Sequence, residues 1–174
     1  MTYKLSVIFH DETIKNPVLM GFDDNARLGL IEISVKRKGM NNDICLFRVK
    51  WDINKLYSWV DDNYVKIVND SLPENVEWKG SIIKSINFFY DSFAGNGIGD
   101  DLLDKIYEYR TSHNLVFAFR GVSVNDLYIG KVDDGFEVSG VENENLFSYK
   151  INIESFFESM QELRTCRRPP SSRN

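Results

Sequence analysis

"DLYIGKVDDGFEVSG", residues 126 to 140, decides how this chain is read. Residues 126 to 132 form a short apolar run that suits a strand. Asp134-Gly135 is a dipeptide that favours the tight turn of a hairpin, and the residues after it, up to Gly140, read as the strand it leads into. Strands therefore come late in this chain, and what precedes them sets the fold class.

Working outward, "LFSYKI" (146 to 151) reads as a further strand and "IESFFESMQELR" (153 to 164) as an amphipathic helix. That helix turns Phe156, Phe157, Met160 and Leu163 inward, with Asn152 as its cap. Before the hairpin, "LVFAFRG" (115 to 121) reads as a strand. Three stretches of helical spacing precede it. In the first, Asp52 caps a run whose inward positions are Leu56, Trp59, Val60, Tyr64, Ile67 and Val68. The second, 80 to 93, gathers Ile82, Ile83, Ile86, Phe89, Tyr90 and Phe93, with Ser81 as a candidate cap. The third, 100 to 113, has acids in its first turn and Leu102, Leu103, Ile106, Tyr107 and Arg110 on one stripe. At the start, 3 to 9, 28 to 38 and 44 to 51 alternate as strands, with a loop at 16 to 26 and a turn at 39 to 43. The order is three strands, three helices, four strands and one helix. Segregated runs of this kind predict an α+β single domain over residues 1 to 164, with a mainly antiparallel sheet and about four helices against one face. Residues 165 to 174 lack an apolar period and carry only basic charge, so a disordered basic tail is expected.

A chain of 174 residues with 43% apolar and 13% aromatic residues can bury a core without staples. Its cysteines, Cys45 and Cys166, lie far apart and read as reduced thiols of a cytoplasmic protein. The start lacks the run and cleavage site of a signal peptide. No apolar stretch approaches the ~20 residues that span a bilayer, so no membrane partner is expected. Net charge is -5, unevenly spread: residues 126 to 163 carry nine acids and two bases. Phosphates would be repelled there, which argues against direct nucleic-acid binding and for a basic partner.

Three glycines in "SFAGNGIGDD" (92 to 101) tempt a phosphate-loop reading. The loop follows a helix instead of a strand, has no lysine in the Walker position, and is followed by Asp100, Asp101 and Asp104. It reads as a connector between helices. His10 and Asp11 are adjacent on a strand and so point to opposite faces. His113 ends a helix, where the dipole favours an imidazolium. No zinc spacing or hydrolase elbow appears, so no catalytic residue, metal or cofactor is expected and the chain is read as no enzyme. Arg110 and Arg120 sit on apolar elements and read as structural ion pairs; the alternative is a small-ligand-binding or enzymatic domain with a pocket near them. Trp51, Trp59 and Trp78 read as core, although an exposed one among acids would resemble a binding hot spot.

From "LLDKIYEYRTSHNLVFAFRG" through "LYIGKVDDGFEVSG" to "FSYKINIESFFESM", residues 80 to 163 resemble the immunity proteins of bacterial toxin–immunity systems, nearest to the contact-dependent growth inhibition type. The resemblance implies an immunity protein that binds a cognate protein toxin domain, in some cases a nuclease, and neutralises it by blocking its active site. An acidic surface would complement a basic cleft. The expected partner-binding residues are Asp133, Asp134, Glu137, Glu142 and Glu144.

Overall fold

The computed structural model describes residues 2–12, 25–37, 39, 43–93, 99–133 and 135–165. Three N-terminal strands, β1 (Tyr3–Asp11), β2 (Leu28–Arg37) and β3 (Ile44–Asp52), form an antiparallel meander. Three helices follow, α1 (Ile53–Asn69), α2 (Ile82–Phe93) and α3 (Asp100–His113). A second meander, β4 (Leu127–Val132), β5 (Gly135–Glu142) and β6 (Asn145–Asn152), leads into α4 (Ile153–Thr165). The meanders join through a parallel pairing of Tyr3 with Ile151 and Lys4 with Asn152. The result is a single α+β domain with one six-stranded, mostly antiparallel sheet in the order β3-β2-β1-β6-β5-β4. Because β3 and β4 are opposite edges, the three central helices carry the chain across the whole sheet.

The caps explain where the helices begin. The Asp52 carboxylate accepts from the backbone N–H of Asn54 at 3.0 Å and of Arg27 at 2.9 Å, so one buried oxygen starts α1 and ties down the approach to β2. Asn152 accepts from Glu154 N–H at 2.9 Å and starts α4. Ser155 and Ser159 then take the N–H groups of Leu5 and Val7, at 2.9 and 3.1 Å, which fastens α4 along β1.

Helices cover both faces of the sheet, not one. Successive strand residues point to opposite sides. Leu127, Ile129 and Val138 join the main core with Leu5, Ile33, Leu56 and Phe156. Tyr128 and Val132 instead join a second core with Ile82, Ile86, Phe89, Ile106 and Tyr109. The β4–β5 end is therefore sandwiched, with α1 and α4 on the main-core side and α2 and α3 on the other. On the outer side of β1–β3, His10 and Arg48 both engage Glu32; Asp11, on the side of Phe9, pairs with Arg27, which lies over the Phe9 ring. His10 and Asp11 thus serve opposite faces, as their adjacency required.

Residues 115 to 121 are not a strand. Leu115–Phe119 is a 3-10 turn, capped by the Asn114 side chain, which accepts from Val116 N–H at 3.1 Å. The second run of strands thus numbers three. On α3, Tyr107 is exposed and Tyr109 turns inward in its place. Tyr64 on α1 is likewise half exposed. Gly135 already belongs to β5, where it pairs with Val132, and Asp134 lies outside the described residues. Thr165 belongs to α4, not to a tail. Cys45 is unbridged. Cys166, the rest of the expected tail and the connector glycines Gly95 and Gly97 lie outside the described residues.

Candidate partner-binding surface

Of the five acids singled out from the sequence, the four among the described residues do not form one surface. Asp133 is exposed in the turn between β4 and β5, at a left-handed φ of 25°. Asp134 lies outside the described residues. Glu142 and Glu144 are exposed at the turn between β5 and β6. The eight-residue strand β5 separates the two turns, which at about 3.3 Å per residue places them about 26 Å apart.

Glu137 is not a surface residue at all. It is 3% exposed, and its carboxylate accepts from the backbone N–H of Ile82 at 2.8 Å. Ser139, two residues on and on the same side of β5, accepts from Ile83 N–H at 3.3 Å. The Ser81 hydroxyl accepts from Lys84 N–H at 3.3 Å. The first turn of α2 is thus held by one side chain of its own and two from the sheet. An anionic carboxylate at the positive end of a helix is well placed, but it is unavailable to a partner.

What gathers around Asp133 instead is the segment 70–80 between α1 and α2. With Ser71, Leu72, Val76, Trp78 and Lys131, Asp133 lines a hollow of about 240 Å3. Trp78 is 42% exposed there. It is the exception among the three tryptophans. Trp59 is buried, its indole N–H donating to the Thr111 carbonyl at 3.0 Å, and Trp51 is half-buried. Lys79 follows Trp78, pairs with Glu77, and lies 3.7 Å from the centroid of the exposed Phe88 ring. The segment is fixed at both ends. Asp70 N–H reaches the Lys66 carbonyl at 2.8 Å, and Lys79 N–H reaches the Ser85 hydroxyl at 2.8 Å. Val76 N–H closes a turn on the Pro73 carbonyl, also at 2.8 Å. An amphipathic ring held on such a loop loses little entropy when a partner covers it.

Ser71 and Leu72 also line a larger cleft, of about 580 Å3, on the other flank of the segment. Lys66, Asp70, Glu74, Lys105, Glu108 and Tyr109 contribute to its walls. The segment is therefore a ridge between two concavities. A polar seam lies between α2, α3 and β4. Arg110 donates from Nε to the Tyr128 hydroxyl at 3.1 Å, and its guanidinium lies 5.4 Å from the Tyr90 ring centroid. Burial works against the charged Arg110, but Tyr128 and Tyr90 outweigh it and hold the guanidinium protonated. Burial also pushes the Tyr128 hydroxyl up to about 12 and that of Tyr109 higher still.

Arg110 and Arg120 rest on different aromatic rings. Arg120 is exposed and lies over Phe117, 5.5 Å from its centroid, and neither arginine lines the 580 Å3 cleft. Neither makes an ion pair among the described residues; aromatic rings are their partners. His113 departs from expectation as well. It is fully buried, and burial lowers its pKa to about 4, so at neutral pH it is an uncharged imidazole and no dipole-stabilised cation. Among the described residues no cluster of His, Cys, Asp or Glu is arranged to hold a metal ion, and no helix is long and apolar enough to cross a membrane.

Trp78 was visible in the sequence as an aromatic, but its role as a ridge was not. The available signal was its position: it falls between Pro73 and Gly80, outside every periodic segment. No family model, no curated protein and no solved structure matches this chain.

Proposed function

We propose that this chain is an immunity-type binding protein that neutralises a cognate toxin domain by covering its active site. The single observation that carries the reading is an exposed tryptophan, Trp78, on a tied-down ridge beside Asp133 and Glu77. Exposed aromatics fringed by charge are the usual anchors of protein interfaces. The acids near it would steer a basic partner. Glu142 and Glu144, at the far turn, belong to a separate region of the surface, and Glu137 acts inside the fold. The alternative of a ligand pocket between Arg110 and Arg120 is less favoured, because both guanidinium groups rest on aromatic rings and do not converge.

The test begins with capture of a partner from the native host by the tagged full chain, followed by identification. The reading requires that partner to arrest growth when expressed alone and to be silenced when this chain is co-expressed. Asp133→Lys should then slow association about tenfold at low salt and leave the melting temperature unchanged. A captured protein with no toxicity would overturn the immunity reading. An unchanged association rate would remove Asp133 from the interface.

A further inference from the structure

His113 sits where α1, α3 and β4 meet. Its ring is stacked on that of Tyr109, centroids 3.9 Å apart and planes within 9°. Gly130 of β4 closes the edge that the two rings share: a Cβ there would lie 2.9 Å from His113 Cδ2 and 2.9 Å from the Tyr109 hydroxyl. His113 Nδ1 is 3.0 Å from the Tyr109 carbonyl oxygen, which can only accept, so Nδ1 carries the hydrogen of the neutral ring. The Ser112 hydroxyl lies 2.8 Å from the same nitrogen. Nε2 makes no hydrogen bond among the described residues, and the Lys66 backbone at the end of α1 favours the charged ring by less than burial opposes it. A second proton would have to settle on Nε2, which is buried and has only the Lys66 backbone nearby to receive it.

We propose that His113 is an acid-sensitive latch: protonation of its imidazole opens the joint between α1 and α3 and releases the ridge at residues 70–80 from the body of the domain. The groups that face it favour this outcome. From α1 come Lys66 and, just beyond the helix, Asp70, whose charges act on the imidazole in opposite senses. From α3 comes Tyr109, and from the sheet Tyr128 and Glu137, whose charges bear on Tyr109. Ile82 of α2 adds only apolar contact at Gly130. The Asp70 carboxylate is exposed and screened, and the buried Glu137 carboxylate is engaged by the Ile82 N–H at the start of α2, so no carboxylate is paired with an imidazolium at this position. Tyr109 and Ser112 line the 580 Å3 cleft and also touch His113, so water stands one side chain away. Opening along that cleft parts α3 from Lys66 and Asp70, where the ridge begins.

The sign follows from the lowered pKa. Burial depresses His113 to about 4, against the small opposing pull of the Tyr109 backbone, Asp70 and the Lys66 backbone. The opened form, with an ordinary imidazole, binds the proton more readily. The latch is therefore fully closed above about pH 6.5 and weakens as pH falls through 4. That the released ridge would also let go of a partner rests on the function proposed above; the latch itself does not.

The experiment uses the isotope-labelled full chain without any partner. The chain has two histidines, and His10 is exposed, so the imidazole signals are separable. Between pH 6 and 4, amide exchange at residues 66–80, corrected for the intrinsic rate, should gain about tenfold per pH unit relative to β1 and β2. His113 should keep its neutral-ring signals down to about pH 5. His113→Asn, whose amide can still donate to the Tyr109 carbonyl but takes no proton, should abolish the pH-dependent step. An imidazole that titrates near 6.5 with residues 66–80 undisturbed would overturn the proposal, as would a step that survives in His113→Asn. Should that variant not fold, the titration of the unmodified chain decides alone. Because no partner is present, failure here leaves the binding function standing, and failure of the binding function leaves the latch.

Discussion

Glu137→Lys is expected to destabilise the domain by about 3–5 kcal/mol, the loss typical when a buried charge is left without its compensating partner. With total stability of about 5–15 kcal/mol for a domain, that is enough to leave much of the protein unfolded under mild denaturant. The cause is local and specific. The Glu137 carboxylate sits at the start of α2, 2.8 Å from the Ile82 nitrogen, and is 3% exposed. An ammonium there would bring donors to a donor and positive charge to the positive end of a helix. Glu137→Gln, which keeps an accepting oxygen, should cost only about 1 kcal/mol. Asp133→Lys, four residues away in an exposed turn, should stay within about 0.5 kcal/mol of the unmodified chain. Urea unfolding of the three variants checks the ranking. Equal stability for Glu137→Lys and Asp133→Lys would mean that Glu137 faces water after all.

Trp78→Ala is expected to weaken partner binding by about 2–4 kcal/mol, or roughly thirtyfold to a thousandfold in Kd, with little change in stability. Its ring lies on the hollow with Leu72, Val76 and Asp133 and is 42% exposed, so truncation removes no core volume. The segment that bears it is held by Lys66, Pro73 and Ser85 through bonds to the backbone, none of which uses the Trp78 side chain. Loss of the ring should therefore accelerate dissociation and leave the ridge in place. Trp59→Ala would make a poor substitute, because Trp59 supports the α1–α3 contact through Thr111. Calorimetric titration against the captured partner, with a melting curve as control, measures both quantities. An unchanged Kd would remove the ridge from the interface.

Much of the fold was legible because local signals were strong. Asp52 and Asn152 announced helix starts, and both make the bonds expected of caps. The alternation in β1 to β3 was clear because one side of that meander is polar. The misreadings have physical causes. "LVFAFRG" is uniformly apolar, and such a run does not distinguish a strand from a short helical turn. Its buried residues, Leu115, Ala118 and Phe119, follow helical spacing, and the Asn114 side chain binds the N–H groups of both Val116 and Leu127, which bends the chain. Glu137 was read as a partner-binding acid, which placed it at the surface. That inference assumed one bare sheet face. The nearly unbroken apolar run at residues 127 to 132 was the sign of a strand covered on both sides.

The candidate site was less legible still. Net charge counted along the chain is not charge gathered in space, and a strand of eight residues carried two of the exposed acids to opposite ends. His113 was placed correctly at a helix end but misjudged, because the dipole's preference for a cation is small beside full burial. Trp78 and Asp133 lie 55 positions apart, and only the packing of α2 onto β4 and β5 brings them to one hollow.

The central claim is that this molecule acts through the ridge at residues 70–80, and hydrogen exchange of the free and partner-bound chain tests it most directly. The account predicts that binding protects residues 70 to 80 and 131 to 133, while residues 142 to 146 at the far turn exchange at unchanged rates. Protection centred on Glu142, Glu144 and Leu146, with the ridge untouched, would contradict it.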